Sequence, residues 1–360
     1  MEKRILWVHW GRTGGGPRFM AEIVRADEEL NPSTCFSSYS QDAEIAPLLS
    51  HLGTASLVVH TYNNKVQFLL GICSWPWKAF RLRRFVRRYQ IEEVVCVMEH
   101  LYQSILLPLS LPSKLRYTVF IHDGKNHPGE SGLLKTIGRC LEYRRADRVV
   151  VFAKAVKGIV QRYFDGDVIT LYHPSFGLED IGVVSARSIP EKPTIGFFGR
   201  LEKYKGLSNL LEAAHLAREN RELDFNLKIV GQGPESELKF SEFGGEADWE
   251  VEWVSEDQVL DVINSFDVLI LPYTEASQSG PLSFALALGI PTIATPVGGL
   301  PEQIGKAGLL SECCKPESIA KAIEEMLTNP GEYRQYSVEA LRLAREERSW
   351  SSLVESIRAS

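Results

Sequence analysis

The feature that most constrains this chain is an alternation that runs along it twice: short apolar, strand-like runs, each followed by a helix-compatible segment or a glycine turn. In the first half Arg4–Trp10, Glu93–Glu99, Arg116–Asp123 and Asp147–Ala153 read as strands, with Gly15–Leu30 and Ser131–Arg145 as helices. Apolar strands separated by helices imply a parallel sheet covered on both faces. The pattern thins over Gly177–Lys192, where VVSARSIPEKP is polar and proline-bearing and reads as a linker. It restarts with Thr194–Arg200, Phe225–Gly231, Trp249–Val254, Asp267–Tyr273 and Pro291–Pro296 as strands. The expected fold is α/β, two Rossmann-like doubly wound domains in tandem. A length of 360 residues with 44% hydrophobic residues suits two packed cores.

Charge and cysteine usage narrow the class. A net charge of −6, from 40 basic and 46 acidic residues, argues against a protein built to coat nucleic acid. The six cysteines, Cys35, Cys73, Cys96, Cys140, Cys313 and Cys314, form no Cys-x-x-Cys pair and read as buried, reduced thiols of a cytosolic protein. MEKRILWVHW runs straight into a strand, too short an apolar stretch for a signal peptide. No run of about 18 uncharged apolar residues is present, so no spanning helix is expected.

Three loops carry chemistry. Gly11-Arg12-Thr13-Gly14-Gly15-Gly16-Pro17 follows the first strand, where glycines let a backbone approach a ligand and a helix start offers N–H groups, Gly15 and Gly16 being the candidate contacts. A plain tight turn is the alternative. Gly199-Arg200-Leu201-Glu202-Lys203-Tyr204-Lys205-Gly206 ends the first strand of the second domain. There Arg200 and Lys205, five residues apart, suit convergence on one diphosphate; a solvated basic loop is the bland reading. In Leu271-Pro272-Tyr273-Thr274-Glu275-Ala276-Ser277-Gln278-Ser279-Gly280-Pro281-Leu282 a strand gives way to a small polar loop and a helix starting at Ser279 or Gly280. Such a helix start favours an anion by geometry and dipole, with the amides of Ser279, Gly280 and Leu282 as donors because Pro281 has none. His122 closes an apolar strand and leads into His122–Glu130, a polar loop including Asp123, Lys125 and His127. Glu99 and His100 end another strand on the same edge.

Gly199-Arg200-Leu201 with Lys205-Gly206, Lys228-Ile229-Val230-Gly231-Gln232-Gly233, Asp267–Tyr273, and Ala287-Leu288-Gly289-Ile290-Pro291 with Gly298-Gly299-Leu300-Pro301-Glu302 resemble the donor domain of glycosyltransferase family 4, in order and spacing over about 110 residues. The N-terminal half resembles it more loosely, through Gly14–Gly16 and His122-Asp123. The resemblance implies a GT-B fold, two doubly wound domains facing a cleft: residues 1–180 on the acceptor side, 190–345 binding a nucleotide sugar, and 346–360 as a helix crossing back. It implies a retaining transfer from a nucleotide-diphosphate sugar. The catalytic set is then His122, Arg200, Lys205 and Glu275, with Gly15, Gly16, Gly199, Gln278, Ser279, Gly280, Leu282 and Val254 as donor contacts. Glu99, His100 and Asp123 fall on the acceptor side. One position departs from the family: its second motif glutamate falls on Phe284 and its first on Ala276, with Glu275 beside it. Ser277-Gln278-Ser279-Gly280 resembles a variant branch. No carboxylate cluster stands ready for a divalent ion, so neither metal nor cofactor is expected beyond the sugar nucleotide as co-substrate. A sugar-nucleotide epimerase or a non-catalytic binding protein of the same fold are the rival readings.

Finally, WPWKAFRLRRFVRRYQ from Trp75 sets Lys78, Arg81, Arg83, Arg84, Arg87 and Arg88 among aromatic residues. Over 75–90, Leu82, Phe85, Val86 and Tyr89 share a helical face flanked by arginines, as on a helix lying against an anionic membrane; a core-packed helix with a solvated basic face is the alternative. The membrane reading makes the acceptor a saccharide or lipid-linked saccharide. It locates the protein in the cytoplasm, peripheral at the inner face of the plasma membrane.

Overall fold

The computed structural model describes residues 2–44, 46–62, 67, 71, 73–124, 133–178, 181–255 and 257–360. The chain separates into two compact units, residues 1–171 with 350–360, and 172–349.

In the first unit the described strands are β1 (Ile5–His9), β2 (Cys35–Ser40), β3 (Ser56–Val59), β4 (Glu93–Cys96), β5 (Arg116–Ile121), β6 (Arg148–Val151) and β7 (Asp167–Thr170). They form one parallel sheet in the order β3-β2-β1-β4-β5-β6-β7. The second unit holds β8 (Thr194–Phe198), β9 (Asn226–Val230), β10 (Asp248–Glu250), β11 (Val268–Leu271), β12 (Thr292–Ala294) and β13 (Gly308–Leu310), parallel in the order β10-β9-β8-β11-β12-β13. Two doubly wound α/β units are thus what the alternation forecast. Their central strands are apolar and fully buried, Val94, Val95, Val149, Val150, Ile195, Phe197, Leu269 and Ile270 among them, because helices cover both faces.

One polar strand escaped the apolar criterion. β2 is CFSSYS, yet Ser37, Ser38 and Ser40 are fully buried. Their hydroxyls are satisfied across the sheet: Ser37 pairs with Ser56 at 2.8 Å, Ser38 donates to the Leu57 carbonyl at 2.9 Å, and Ser40 pairs with Thr61 at 2.7 Å. A buried hydroxyl with a partner costs little. β3 follows by register, Ser37 to Val59 forming the β2–β3 ladder.

The helix Gly15–Leu30 starts and stops where the glycines and the Leu30-Asn31 junction place it. The helix Trp350–Ala359 belongs to the first unit and is tied to it by charge. Arg358 Nε and Nη2 donate to the two oxygens of buried Asp27 at 2.5 and 2.7 Å, and Trp7 Nε1 donates to the same carboxylate at 2.7 Å.

Three expectations are corrected. The strand Trp249–Val254 spans only Asp248–Glu250, which leaves Val254 in the following loop. Of the six free cysteines only Cys35 and Cys96 are buried, while Cys73, Cys140 and Cys313 are exposed and Cys314 is half-buried. In the helix Trp75–Arg88 the face of Leu82, Phe85, Val86 and Tyr89 is turned to protein: Leu82 and Val86 are buried, and Phe85 and Tyr89 pack on Phe36. Among the described residues no helix is long and apolar enough to cross a membrane.

Candidate active site

A doubly wound sheet binds ligands where its strand order reverses, outside the carboxyl ends of the strands. In the second unit the reversal lies between β8 and β11, so the loops after these strands flank the crevice. Arg200 follows β8, and Lys205 ends the short turn Lys203–Lys205 before the helix Leu207–Arg221. Both cations lean on one tyrosine. Arg200 Nη2 donates to Tyr204 Oη at 3.2 Å, and Lys205 Nζ lies 5.1 Å from the Tyr204 ring centre. Lys205 Nζ also sits 3.6 Å above the ring of buried Tyr273, the second residue past β11. The two charges are thus gathered at one end of the switch point.

Backbone nesting sets this geometry. Gly206 has φ +70°, and a Cβ there would stand 1.9 Å from the Pro272 carbonyl oxygen. Gly298 has φ +55°, and its Cβ would stand 1.4 Å from the Ala276 oxygen. Only glycine allows both the left-handed conformation and the approach. Thr274 N donates to the Tyr204 carbonyl at 2.8 Å and Thr295 Oγ1 to the Tyr273 carbonyl at 2.5 Å, so hydrogen bonds tie together the loops after β8, β11 and β12.

The helix Gly280–Ala287 begins at this edge with Ser279 as its N-cap. The Ser279 amide, one of the three expected donors, is taken: it donates to Gln303 Oε1 at 2.8 Å, while Gln303 Nε2 donates to the Ser279 carbonyl at 2.7 Å. That leaves Gly280 and Leu282. Ser279 Oγ lies 3.3 Å from Tyr273 Oη. Burial pushes the Tyr273 phenol up to about 12, against smaller lowering by Ser279 and Arg200, so it stays protonated. Gln278 Oε1 is shielded from solvent with no hydrogen-bond partner among the described residues, a buried polar group of the kind that calls for one. Glu275 is exposed in the same loop. Phe284 is buried and stacks on Phe176, ring centres 5.2 Å apart at 25°. An aromatic wall stands where the family resemblance places a carboxylate.

In the first unit the order reverses between β1 and β4. The loop after β4 brings Glu99 and His100 there. Glu99 accepts two hydrogen bonds from Arg139, at 2.8 and 2.9 Å, and Arg139 also donates to the carbonyls of Asp123 and Gly124. Burial raises the Glu99 carboxyl while Arg139 pulls it down. His100 caps the helix Leu101–Ser110 and stacks on Tyr62, and burial followed by the Arg12 charge lowers it to about 4. Gly16 serves a protein group: a Cβ there would meet His9 Nε2 at 2.4 Å, so the glycine makes room for that imidazole. Gly15 is exposed and opens on free space. His122 follows β5, with Nε2 2.9 Å from the Val97 carbonyl and its ring edge-on to Phe19. The carbonyl can only accept, so Nε2 carries the proton. Burial holds the ring neutral. Lys125 to Glu130 of the polar loop lie outside the described residues.

Residue reading missed Tyr204, Tyr273 and Gln303. Tyr273 closes an apolar strand, and Gln303 sits just past a glycine turn, so only the partner residues identify either. Among the described residues no group of three His, Cys, Asp or Glu side chains could hold a metal ion.

Residues 192–329 match the family profile of glycosyl transferases group 1. This stretch is similar to a group 1 glycosyltransferase domain. It contains the whole switch-point site of the second unit. The chain is 28% identical over 243 residues to an uncharacterized glycosyltransferase of Methanocaldococcus jannaschii, covering 61% of this chain and 59% of that one. It is 30% identical over 145 residues to the 2-deoxystreptamine glucosyltransferase of Streptomyces kanamyceticus, covering 38% and 37%. The chain therefore spans about six tenths of the first relative's length and under four tenths of the second's. The crystal structure of Anabaena HepE in complex with UDP-glucose superposes with a TM-score of 0.70 at 15% identity, covering 99% of both chains. The fold is GT-B, and the stretch that matches the group 1 profile lies in the second unit.

Proposed function

We propose that the protein is a retaining glycosyltransferase that moves a sugar from a nucleotide-diphosphate donor in the cytoplasm to a saccharide or lipid-linked saccharide. The observation that carries this reading is the meeting of Arg200 and Lys205 on Tyr204, at the switch point of the stretch that matches the group 1 profile, beside a helix start. Two cations and the helix-start amides of Gly280 and Leu282 suit a diphosphate whose charge grows as it leaves. In the transfer the sugar C1–O bond to phosphate breaks, the acceptor oxygen bonds C1 on the same face, and the acceptor proton passes to the departing phosphate oxygen. The carboxamide of Gln278 is suited to a hydroxyl of the donor, and Gly199 and Val254 to its nucleoside end. Glu275 takes the place of the first motif glutamate, and His122, with Glu99, His100, Asp123 and Gly15, serves the sugar and acceptor side. Because Arg200 and Lys205 meet the diphosphate charge, transfer needs no divalent ion. The names of the aligned relatives and the UDP-glucose in the structural neighbour support a sugar nucleotide as donor.

The test is a thermal-shift panel of UDP-, GDP- and ADP-sugars, followed by incubation of the stabilising donor with and without saccharide acceptors. A product with the donor's anomeric configuration, formed only with acceptor, is the expected result. Conversion of donor alone into an epimer would replace this reading by the epimerase, and binding without turnover by a non-catalytic sugar-nucleotide protein.

A further inference from the structure

The helix Trp75–Arg88 presents a second face that the site above does not use. Its core face is Leu82 and Val86. On the other side Trp77, Phe80, Arg81, Arg84 and Arg88 are exposed, and the pairs Trp77–Phe80, Trp77–Arg81, Phe80–Arg84, Arg81–Arg84 and Arg84–Arg88 are three or four residues apart, so they share a single stripe. Trp77 is 65% and Phe80 55% exposed, and their rings stack at 5.8 Å and 25° on each other. Two large aromatic side chains held together in water, on a helix whose hydrophobic requirement is already met by the core, are an unused apolar anchor.

The three arginines of the stripe converge. Arg81, Arg84 and Arg88 line a groove of about 410 Å3 between this helix and the edge strand β3, closed by Trp77, Phe80, Phe85, Tyr89, Ser56 and Leu57. Among the described residues no carboxylate lines it. Nor does the surrounding sequence supply one: residues 45–91 contain seven Lys or Arg and no Asp or Glu. With the whole chain at −6 and this stretch at +7, the remainder stands at −13. Like charges held close together repel one another, and an external anion relieves that repulsion.

We infer that this stripe docks the protein on an anionic phospholipid bilayer, with Trp77 and Phe80 entering the interfacial layer and the Arg81-Arg84-Arg88 groove holding one phosphate headgroup. Stacked aromatics at the headgroup level and guanidinium forks on phosphate oxygens are the two chemistries a bilayer surface satisfies together. The acidic remainder is repelled by the same surface, which restricts the approach to this face. The anchor differs from the Leu82, Phe85, Val86 and Tyr89 face that the bare sequence suggests, since that face is spent in the core.

The experiment is vesicle sedimentation of the full chain with phosphatidylcholine alone and with phosphatidylcholine containing phosphatidylglycerol, at low salt and at about 0.5 M salt, where screening reaches within a few ångströms. Binding to the anionic vesicles only, released by salt, is expected. Arg81→Gln, Arg84→Gln and Arg88→Gln combined should weaken it about a hundredfold. Trp77→Ala with Phe80→Ala, charge intact, should weaken it about tenfold. All five side chains are exposed, and unchanged melting of the variants verifies that they fold. An equal charge loss at exposed Lys239, Lys306 and Arg334 should leave binding as it was. Equal recovery in the supernatant with neutral and anionic vesicles at low salt would overturn the inference. So would a loss on Lys239, Lys306 and Arg334 replacement as large as that of the stripe variant. Neither outcome touches the glycosyl-transfer reading, which is assayed with soluble donor and acceptor.

Discussion

Removing either cation at the switch point, by Arg200→Ala or Lys205→Ala, separates a diphosphate clamp from a merely basic loop. A nucleotide diphosphate at a hundred times its dissociation constant stabilises the unit that binds it by about 2.7 kcal/mol. For a unit of this size, at roughly 2–4 °C per kcal/mol, that is a rise of about 5–10 °C in its melting midpoint. Each cation contributes a charge-assisted bond to the diphosphate, and losing one weakens binding by about ten- to a hundredfold. At the larger loss the same nucleotide concentration leaves only about 0.4 kcal/mol, or about 1 °C. The folded state's own loss is read without nucleotide. Lys205 gives up its contact with the Tyr273 ring at 3.6 Å, worth about 0.5–2 kcal/mol, and Arg200 an exposed bond to Tyr204. Turnover should fall about a hundredfold or more, because the diphosphate charge is greatest as it leaves. Differential scanning fluorimetry with and without the donor, alongside initial rates, reads both effects. Tyr273→Phe is the control: it keeps the ring under Lys205 while removing the hydroxyl near Ser279, and should retain most of the shift. If both alanine variants keep the full nucleotide-induced rise and near-normal turnover, the clamp is wrong.

Three further outcomes are expected. Activity measured in excess chelator should match that in magnesium, and a complete loss restored by magnesium would place the diphosphate charge on a metal instead of Arg200 and Lys205. Arg358→Ala leaves the buried Asp27 carboxylate with the neutral donors Trp7 Nε1 and Asn31 Nδ2 in place of its guanidinium, so the first unit should lose about 3–5 kcal/mol and melt about 10 °C lower; an unchanged midpoint would mean the ion pair contributes nothing. The stability of the first unit should also fall on both sides of neutrality. Burial holds His9 near 3 and His100 near 4, below their unfolded value, so this contribution is complete above about pH 6.5 and is lost as pH falls toward 4. Glu142, raised to about 8 by burial and then by the Glu99 charge, contributes fully below its unfolded value and loses that contribution as pH rises through 8. Urea midpoints across pH 4.5–9 should therefore be bell-shaped, with His100→Gln flattening the acid limb and Glu142→Gln the alkaline one; a flat profile for the unsubstituted protein would refute the assignment.

What the sequence determined by itself is local. Val94–Val97, Val149–Val151 and Val268–Leu271 are continuous apolar runs, and any such run between helices must become a covered parallel strand, so both sheets and the restart near Thr194 were legible. Arg200, Lys205 and the glycines around them were legible for the same reason: a strand end, a turn and a helix start are neighbours along the chain. What the tertiary structure decided is which polar groups find one another. Gln303 takes the Ser279 amide from 24 residues away, Arg139 reaches Glu99 across 40, and Arg358 closes on Asp27 across 331. None of these pairs has a spacing that a helix or strand period could reveal. β2 shows the same limit, since CFSSYS is polar in sequence and buried only because Ser56, Leu57 and Thr61 receive its hydroxyls. Likewise the period of the helix Trp75–Arg88 shows two faces but not which of them meets protein. That choice belonged to Phe36 and the edge of the sheet, which claimed Phe85 and Tyr89 and left Trp77 and Phe80 outside. Hydrophobic period is written in neighbouring residues, whereas a hydrogen bond needs only two groups brought together in space, and the fold alone brings them there.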